Sequence, residues 1–151
     1  MSLKDGGKKM SKSDPAGEDS CILLTDSAAE ISRKIKGCKT DSVRGLEWDN
    51  PDRPECANLL NIYQAVTGLS SAAVRRDTEG LGWGGFKPLL ADALVARLGP
   101  IRERYLETMR DTEMLQGVVE RGAKRANEGA KRILEHAKVA MGLDIAPRTN
   151  P

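Results

Sequence analysis

The sequence predicts a mostly α-helical protein, a helical bundle from about residue 55 preceded by an irregular segment. Apolar residues recur at helical intervals from Glu55 to Met141, punctuated by glycine and proline. Only Ser20-Cys21-Ile22-Leu23-Leu24 has the make-up of a strand. The first 20 residues carry Gly6, Gly7, Pro15 and Gly17 among lysines, serines and aspartates, and read as loop.

The elements follow in order. Ser27 stands three residues before Glu30, the spacing of a capping box. Ile31, Ile35 and Cys38 continue at helical intervals, so residues 28–36 form a short amphipathic helix that Gly37 ends. Residues 40–55 are acidic and carry Pro51 and Pro54; they read as a surface connector anchored by Trp48. Leu59, Leu60, Ile62, Tyr63 and Val66 give the next helix one apolar face, and Gly68 closes it. Residues 70–79 make a second, short helix. Gly80, Gly82, Gly84 and Gly85 suggest a loop around Trp83, and Pro88 sits where a helix can begin. Leu89, Leu90, Ala93, Leu94 and Leu98 form a stripe ended by Gly99, and Pro100 opens another helix with Ile101, Tyr105 and Met109 inward. The last helix runs from about Glu113 to Met141, with Leu115, Val119, Ala123, Ala126, Ala130, Ile133, Leu134 and Ala137 on one face. Residues 144–151 read as a tail.

With 151 residues the chain is the size of one ordinary domain, and its apolar share of 39% before glycine excludes wholesale disorder. No apolar run is long enough to cross a membrane, and the lysine- and glycine-rich start is unlike a secretory signal. Cys21, Cys38 and Cys56 are too few and too scattered for a disulfide framework or a zinc site, which points to a reducing intracellular compartment. A net charge of +2 says little about a nucleic-acid partner, and five aromatic residues leave little for a base-stacking platform.

The most chemical stretch is Lys9-Met10-Ser11-Lys12-Ser13. Two ammonium groups and two hydroxyls lie within five residues, between glycines and a proline that keep the backbone out of a helix. Such a loop can wrap a polyphosphate, with lysines as point charges and hydroxyls and amides as donors. Donors aimed at the charge that develops on a leaving phosphate lower the barrier to displacement. Composition alone favours a solvated tail. Met10, an apolar residue at the centre of the charges, argues against it.

Lys9-Met10-Ser11-Lys12-Ser13 resembles, residue for residue, the KMSKS signature loop of the class I aminoacyl-tRNA synthetases. The stretches around it resemble bacterial and organellar tryptophanyl-tRNA synthetases: Met1-Ser2-Leu3-Lys4-Asp5-Gly6, Lys39-Thr40-Asp41, Arg53-Pro54-Glu55, Asn58-Leu59-Leu60-Asn61-Ile62-Tyr63, Gly82-Trp83-Gly84 through Leu94, and Pro100-Ile101-Arg102-Glu103-Arg104-Tyr105. The resemblance spans residues 1 to about 143.

What it implies is a tryptophan–tRNA ligase, an enzyme of protein biosynthesis. Such an enzyme activates tryptophan with ATP to tryptophanyl-adenylate and transfers it to its tRNA. Lys9, Met10, Ser11, Lys12 and Ser13 are then the ATP-binding loop, closing on the phosphates with Mg2+ present. Lys12 and Lys9 are the catalytic candidates, Lys12 stabilising charge on pyrophosphate; no metal ligand is assigned. The fold implied is mostly α: a C-terminal helical bundle preceded by the mobile signature loop and a short remnant of the class I nucleotide-binding α/β domain. Residues 1–45 would end the catalytic domain, 46–56 connect, and 57–143 form the helical domain that receives the tRNA anticodon. Partners implied are tRNA(Trp), tryptophan and ATP, no membrane, and a homodimer for the full-length enzyme only. The location implied is bacterial cytoplasm or an organelle matrix. The single histidine, His136, cannot supply the two-histidine motif that class I synthetases need. The chain therefore reads as the C-terminal part of a synthetase, inactive alone.

Other patterns have plainer readings. Arg121, Lys124, Arg125, Lys131, Arg132 and Lys138 fall within about 140° of one helix face. Glu128 and Glu135 lie inside that arc at pairing distance, so a solvated surface is the better reading than a phosphate-tracking face. Arg33, Lys34, Lys36 and Lys39 have no acid among them and are the better nucleic-acid candidate. His136 reads as a surface residue, Asp41, Asp49 and Asp52 as solvated acids, Cys38 as core, and Trp83 as a plug between helices. Two alternatives to the enzyme remain: a stand-alone helical tRNA- or RNA-binding module without catalysis, and a structural helical domain with a lysine-rich tail.

Overall fold

The computed structural model describes residues 1–11 and 17–143. A 3-10 turn, Gly17–Ser20, is followed by α1 (Ala28–Lys36), α2 (Pro54–Thr67), α3 (Ser71–Asp77), α4 (Trp83–Arg110) and α5 (Thr112–Ala140), with no strand among the described residues. The chain divides into two compact units, Met1–Leu106 and the residues from Glu107 on.

Local signals place the helix ends in the first unit. The capping box at α1 is formed: the Ser27 hydroxyl accepts from the Glu30 N–H and the Glu30 carboxylate from the Ser27 N–H. Gly37 ends α1 without a left-handed turn, at φ −87°. Gly68 ends α2 with one, at φ 70°, where a side chain would be strained. The Ser70 hydroxyl caps α3 by accepting the Ala73 N–H. Ile31 and Ile35 of α1, Leu59 and Tyr63 of α2, Val74 of α3 and Phe86 and Leu90 of α4 meet in one core. Tyr63 and Phe86 sit edge to face there, 5.8 Å between ring centres.

Ile101, Tyr105 and Met109, expected inward, are 44%, 44% and 49% exposed, and two further expectations fail. Ser20–Leu24 is not a strand. The Ser20 carbonyl accepts one bond, from Leu3, and the chain then turns: Asp26 N–H donates to the Leu23 carbonyl while the Asp26 carboxylate accepts the Leu23 N–H. A side chain has taken the place of a ladder partner. The second failure is at the prolines. Trp83 lies inside α4 rather than in a glycine loop, Gly99 does not end the helix, and Pro88 and Pro100 both lie within it. An internal proline costs about 3 kcal/mol. Burial of Phe86, Leu90, Ala91 and Leu94 on both sides of Pro88 outweighs that, at about 1.5–3 kcal/mol for each large side chain. At Pro100 the preceding residue is Gly99, which has no Cβ to clash with the proline ring.

In the second unit, the Asp111 carboxylate caps α5 by accepting the Met114 N–H. No residue of α5 is fully buried: Val119 is 69%, Ile133 64% and Leu134 53% exposed, so the apolar face expected from the periodicity is largely exposed, with Leu115 half-buried.

Candidate functional site

Residues 1–8 form a fixed base for the lysine–serine loop. Leu3 is buried in the core; its N–H donates to the Ser20 carbonyl at 2.9 Å and its carbonyl accepts the Lys39 N–H at 2.8 Å. The chain then doubles back, the Ser2 N–H donating to the Lys8 carbonyl at 2.8 Å and the Gly7 N–H to the Asp5 carboxylate at 3.0 Å. Asn58 of α2, itself buried, donates Nδ2 to the Ser2 carbonyl at 3.2 Å. Gly6 lies directly on the first turn of α2. A Cβ there would stand 2.6 Å from the Glu55 nitrogen and 2.7 Å from the Pro54 carbonyl carbon, so only glycine permits the approach.

Glu55 fastens the same place electrostatically. Its carboxylate meets the Lys39 ammonium at 2.6 Å. That bond holds Glu55 below the usual carboxylate range and pushes Lys39 up. From this base, Lys9 and Ser11 are exposed and Met10 is half-buried. Lys12 and Ser13, the other members of the expected loop, lie outside the described residues. No group of three His, Cys, Asp or Glu side chains among the described residues could hold a metal ion.

A second cluster ties the connector to the helices. Arg53, 3% exposed, makes a two-pronged contact with Asp41, Nε to Oδ2 at 2.9 Å and Nη2 to Oδ1 at 3.0 Å. Nη2 also donates to the Gly45 carbonyl at 2.9 Å. Trp83 Nε1 approaches the same carboxylate at 3.4 Å, and the guanidinium lies 6.0 Å from the indole centre. Arg53 holds the Asp41 carboxyl below its ordinary range. Asp41 is therefore not the solvated acid the composition suggested; its partner stands 12 residues away. Asp49 is exposed as expected, though paired with Arg75 at 2.7 Å. Trp48 anchors the connector through Nε1 to the Asn61 side chain at 2.8 Å. Cys38 is buried, and burial pushes its thiol up.

The two basic patches exchange character. In the α1 patch, Arg33 pairs with Asp19 at 2.8 Å, Lys34 with Asp26 at 2.7 Å and Lys39 with Glu55. Only Lys36 has no ion pair among the described residues, so the patch is largely neutralised from outside its own sequence. On α5 the pairs expected from Glu128 and Glu135 do not form among the described residues. Arg121, Lys124, Arg125, Lys131, Arg132 and Lys138 are all exposed.

The family model for class I tRNA synthetases (W and Y) matches residues 1–99, which hold the loop, its base and the Arg53–Asp41–Trp83 cluster. The chain belongs to this family. It is 51% identical over 145 residues to the tryptophan–tRNA ligase of Thermosynechococcus vestitus, covering 96% of this chain and 44% of that protein. To the chloroplastic/mitochondrial tryptophan–tRNA ligase of Arabidopsis thaliana it is 49% identical over 142 residues, covering 94% and 35%. The chain thus spans less than half the length of these curated relatives. Among solved structures, tryptophanyl-tRNA synthetase from Campylobacter jejuni shares the fold at TM-score 0.71 and 22% identity, over 93% of this chain and 45% of that one. The enzyme from Mycoplasma pneumoniae does so at TM-score 0.65 and 22% identity, over 94% and 44%. Mostly helical architecture is what this class I synthetase chain shares with them. In this chain no helix among the described residues is long and apolar enough to cross a membrane.

Proposed function

We propose that this chain supplies the ATP-phosphate loop and the tRNA-facing helical part of a tryptophan–tRNA ligase. The observation that carries the reading is the presence of Lys9-Met10-Ser11-Lys12-Ser13 within a match to tryptophan–tRNA ligases that covers 96% of the chain. Residues 1–45 belong to the end of the catalytic domain, 46–56 to the connector and 57–143 to the C-terminal helical domain, with 144–151 as a tail. In adenylate formation a carboxylate oxygen of tryptophan attacks the α-phosphorus of ATP. The bond to the bridging oxygen breaks and pyrophosphate leaves with the negative charge. Lys12, assisted by Lys9, meets that charge, and the hydroxyls of Ser11 and Ser13 donate to phosphate oxygens. Mg2+ enters on the phosphates, as it usually does with such substrates, and no step is assigned to it through this chain.

Transfer of the aminoacyl group makes tRNA(Trp) the macromolecular partner, and the α5 cations, which have no ion pair among the described residues, suit its phosphates. The full-length ligase is a homodimer in this reading, located in bacterial cytoplasm or an organelle matrix. The test is a chimera in which this chain replaces its 145-residue counterpart in the Thermosynechococcus vestitus ligase. Lys12→Ala should lower the rate of tryptophan-dependent ATP–pyrophosphate exchange by about 10²–10³, the scale of one lost charge-stabilising donor. Unchanged exchange in the Lys9→Ala/Lys12→Ala double variant would overturn the role of the loop.

A further inference from the structure

We propose that Asn58 of α2 is a positioning residue for Lys9, acting through the backbone of Ser2 and Lys8. The proposal deepens the ligase reading above and rests on it for the reaction. Residues 1–8 belong to no helix or strand, so their backbone groups need partners from elsewhere. Asn58 supplies one set. Its Oδ1 accepts from the Met1 nitrogen at 3.0 Å, and its Nδ2 donates to the Ser2 carbonyl at 3.2 Å. That nitrogen only donates and that carbonyl only accepts, so the amide has a single orientation. The Ser2 N–H in turn donates to the Lys8 carbonyl at 2.8 Å. This carbonyl belongs to the peptide unit whose nitrogen is that of Lys9. Two hydrogen bonds and one planar peptide unit therefore lead from α2 to the Lys9 backbone.

The two ends of this path differ in freedom. Leu59, Leu60 and Tyr63 hold α2 in the core, and Asn58 and Ser2 are 6% and 2% exposed, so water does not compete for their bonds. Lys9 is exposed, the first cation of the loop. Glu55 and Gly6 seat the same segment on α2, but they act at Lys39 and at Gly6 itself rather than at the Lys8–Lys9 peptide unit. Stabilising charge on a leaving pyrophosphate demands placement, and a shift of about 1 Å can cost about 10² in rate. Asn58 touches no substrate in this scheme; it sets where Lys9 begins.

The test measures single-turnover formation of tryptophanyl-adenylate in the chimeric ligase described above, as a rate per active site counted from the burst amplitude. Asn58→Leu keeps most of the volume and removes both bonds. Asn58→Asp keeps the acceptor and loses the donor, which returns when the carboxyl is protonated. Asn58→Leu should slow adenylate formation about tenfold in the parent and less than about twofold in Lys9→Ala, because an effect transmitted by Lys9 vanishes with it. Val74→Ala, a core change remote from the path, should act equally in both backgrounds. Asn58→Asp should match Asn58→Leu at about pH 8 and approach the parent at about pH 6, where a buried carboxyl carries its proton. Asn58→Leu should stay slow at both.

Equal slowing by Asn58→Leu in both backgrounds makes its role structural and overturns the proposal. A parent-like rate for Asn58→Leu does the same, as does an Asp variant that stays with Leu at every pH. An unchanged rate in Lys9→Ala/Lys12→Ala overturns the reading of the loop. If that double variant is slow and any of the preceding results is found, the positioning role falls and the loop stands.

Discussion

Lys34 and Asp26 are buried together, the ammonium 2.9 Å from Oδ1 and 2.7 Å from Oδ2, with side chains 2% and 6% exposed. The same carboxylate accepts the Leu23 N–H at 2.9 Å and so shapes the turn before α1. Taking two charges out of water is offset only by this full set of bonds. Asp26→Ala strands the ammonium and should destabilise the chain by about 3–5 kcal/mol in urea unfolding. Asp26→Leu with Lys34→Met removes both charges but leaves the Leu23 N–H unpaired. Its stability should fall between the parent and the single variant. A single variant within experimental error of the parent would contradict the account.

Gly6 and Gly7 are neighbours with opposite tolerance. A Cβ at Gly6 meets the backbone of Pro54 and Glu55 at under 3 Å, whereas one at Gly7 meets only an Asp5 carboxylate oxygen at 3.4 Å. Gly6→Ala should therefore cost about 1–3 kcal/mol, the usual range for overpacking, and Gly7→Ala little. Thermal melts of the two variants side by side check this; equal melting temperatures would sink it.

Asp41→Ala leaves the Arg53 guanidinium, which has 3% exposure, without its main acceptor. A loss of about 3 kcal/mol is expected, at the lower edge for a broken buried pair because Asp41 is itself partly exposed. Trp83 should also lose its Nε1 acceptor, which its indole N–H chemical shift would report.

Stability should fall at both ends of the pH range. Asp41 and Glu55 are held below their ordinary values of 3.8 and 4.5, so their contribution is present above those values and is lost as pH falls below them. The Cys38 and Cys56 thiols are pushed above 9.0 by burial, so the unfolded chain ionises first and stability drops as pH rises past 9. Melting temperature measured from pH 3 to 10 should show both limbs, and Asp41→Asn should flatten the acid one.

The 151-residue polypeptide, purified alone, should show no tryptophan-dependent ATP–pyrophosphate exchange. Rate enhancement of this kind depends on holding both reactants in place. The chain has one histidine where a two-histidine motif is expected. Turnover above a Lys9→Ala/Lys12→Ala control would refute this.

Much of the helical layout was legible because its signals are local. Ser27 and Glu30 cap across one turn, and Gly68 takes a left-handed conformation next to the helix it ends. The loop residues Lys9–Ser13 stood out through their own chemistry and their resemblance to a known motif. Their base did not, because it depends on Gly6 meeting a helix that begins 48 residues later in the chain.

By itself the sequence determined where α1 starts under its Ser27 cap, that Cys38 avoids water, and which family the chain resembles. Tertiary structure alone decided that Pro88 and Pro100 lie inside one helix, that Asp41 serves Arg53 and Trp83, and that three of the four cations Arg33, Lys34, Lys36 and Lys39 are paired. The physical reason is range. Caps and turns act over three or four residues, whereas burial and charge pairing join residues as far apart as Asp41 and Trp83, 42 positions along the chain. Those long contacts exist only once the core of Ile35, Leu59, Phe86 and Leu90 has brought the helices together.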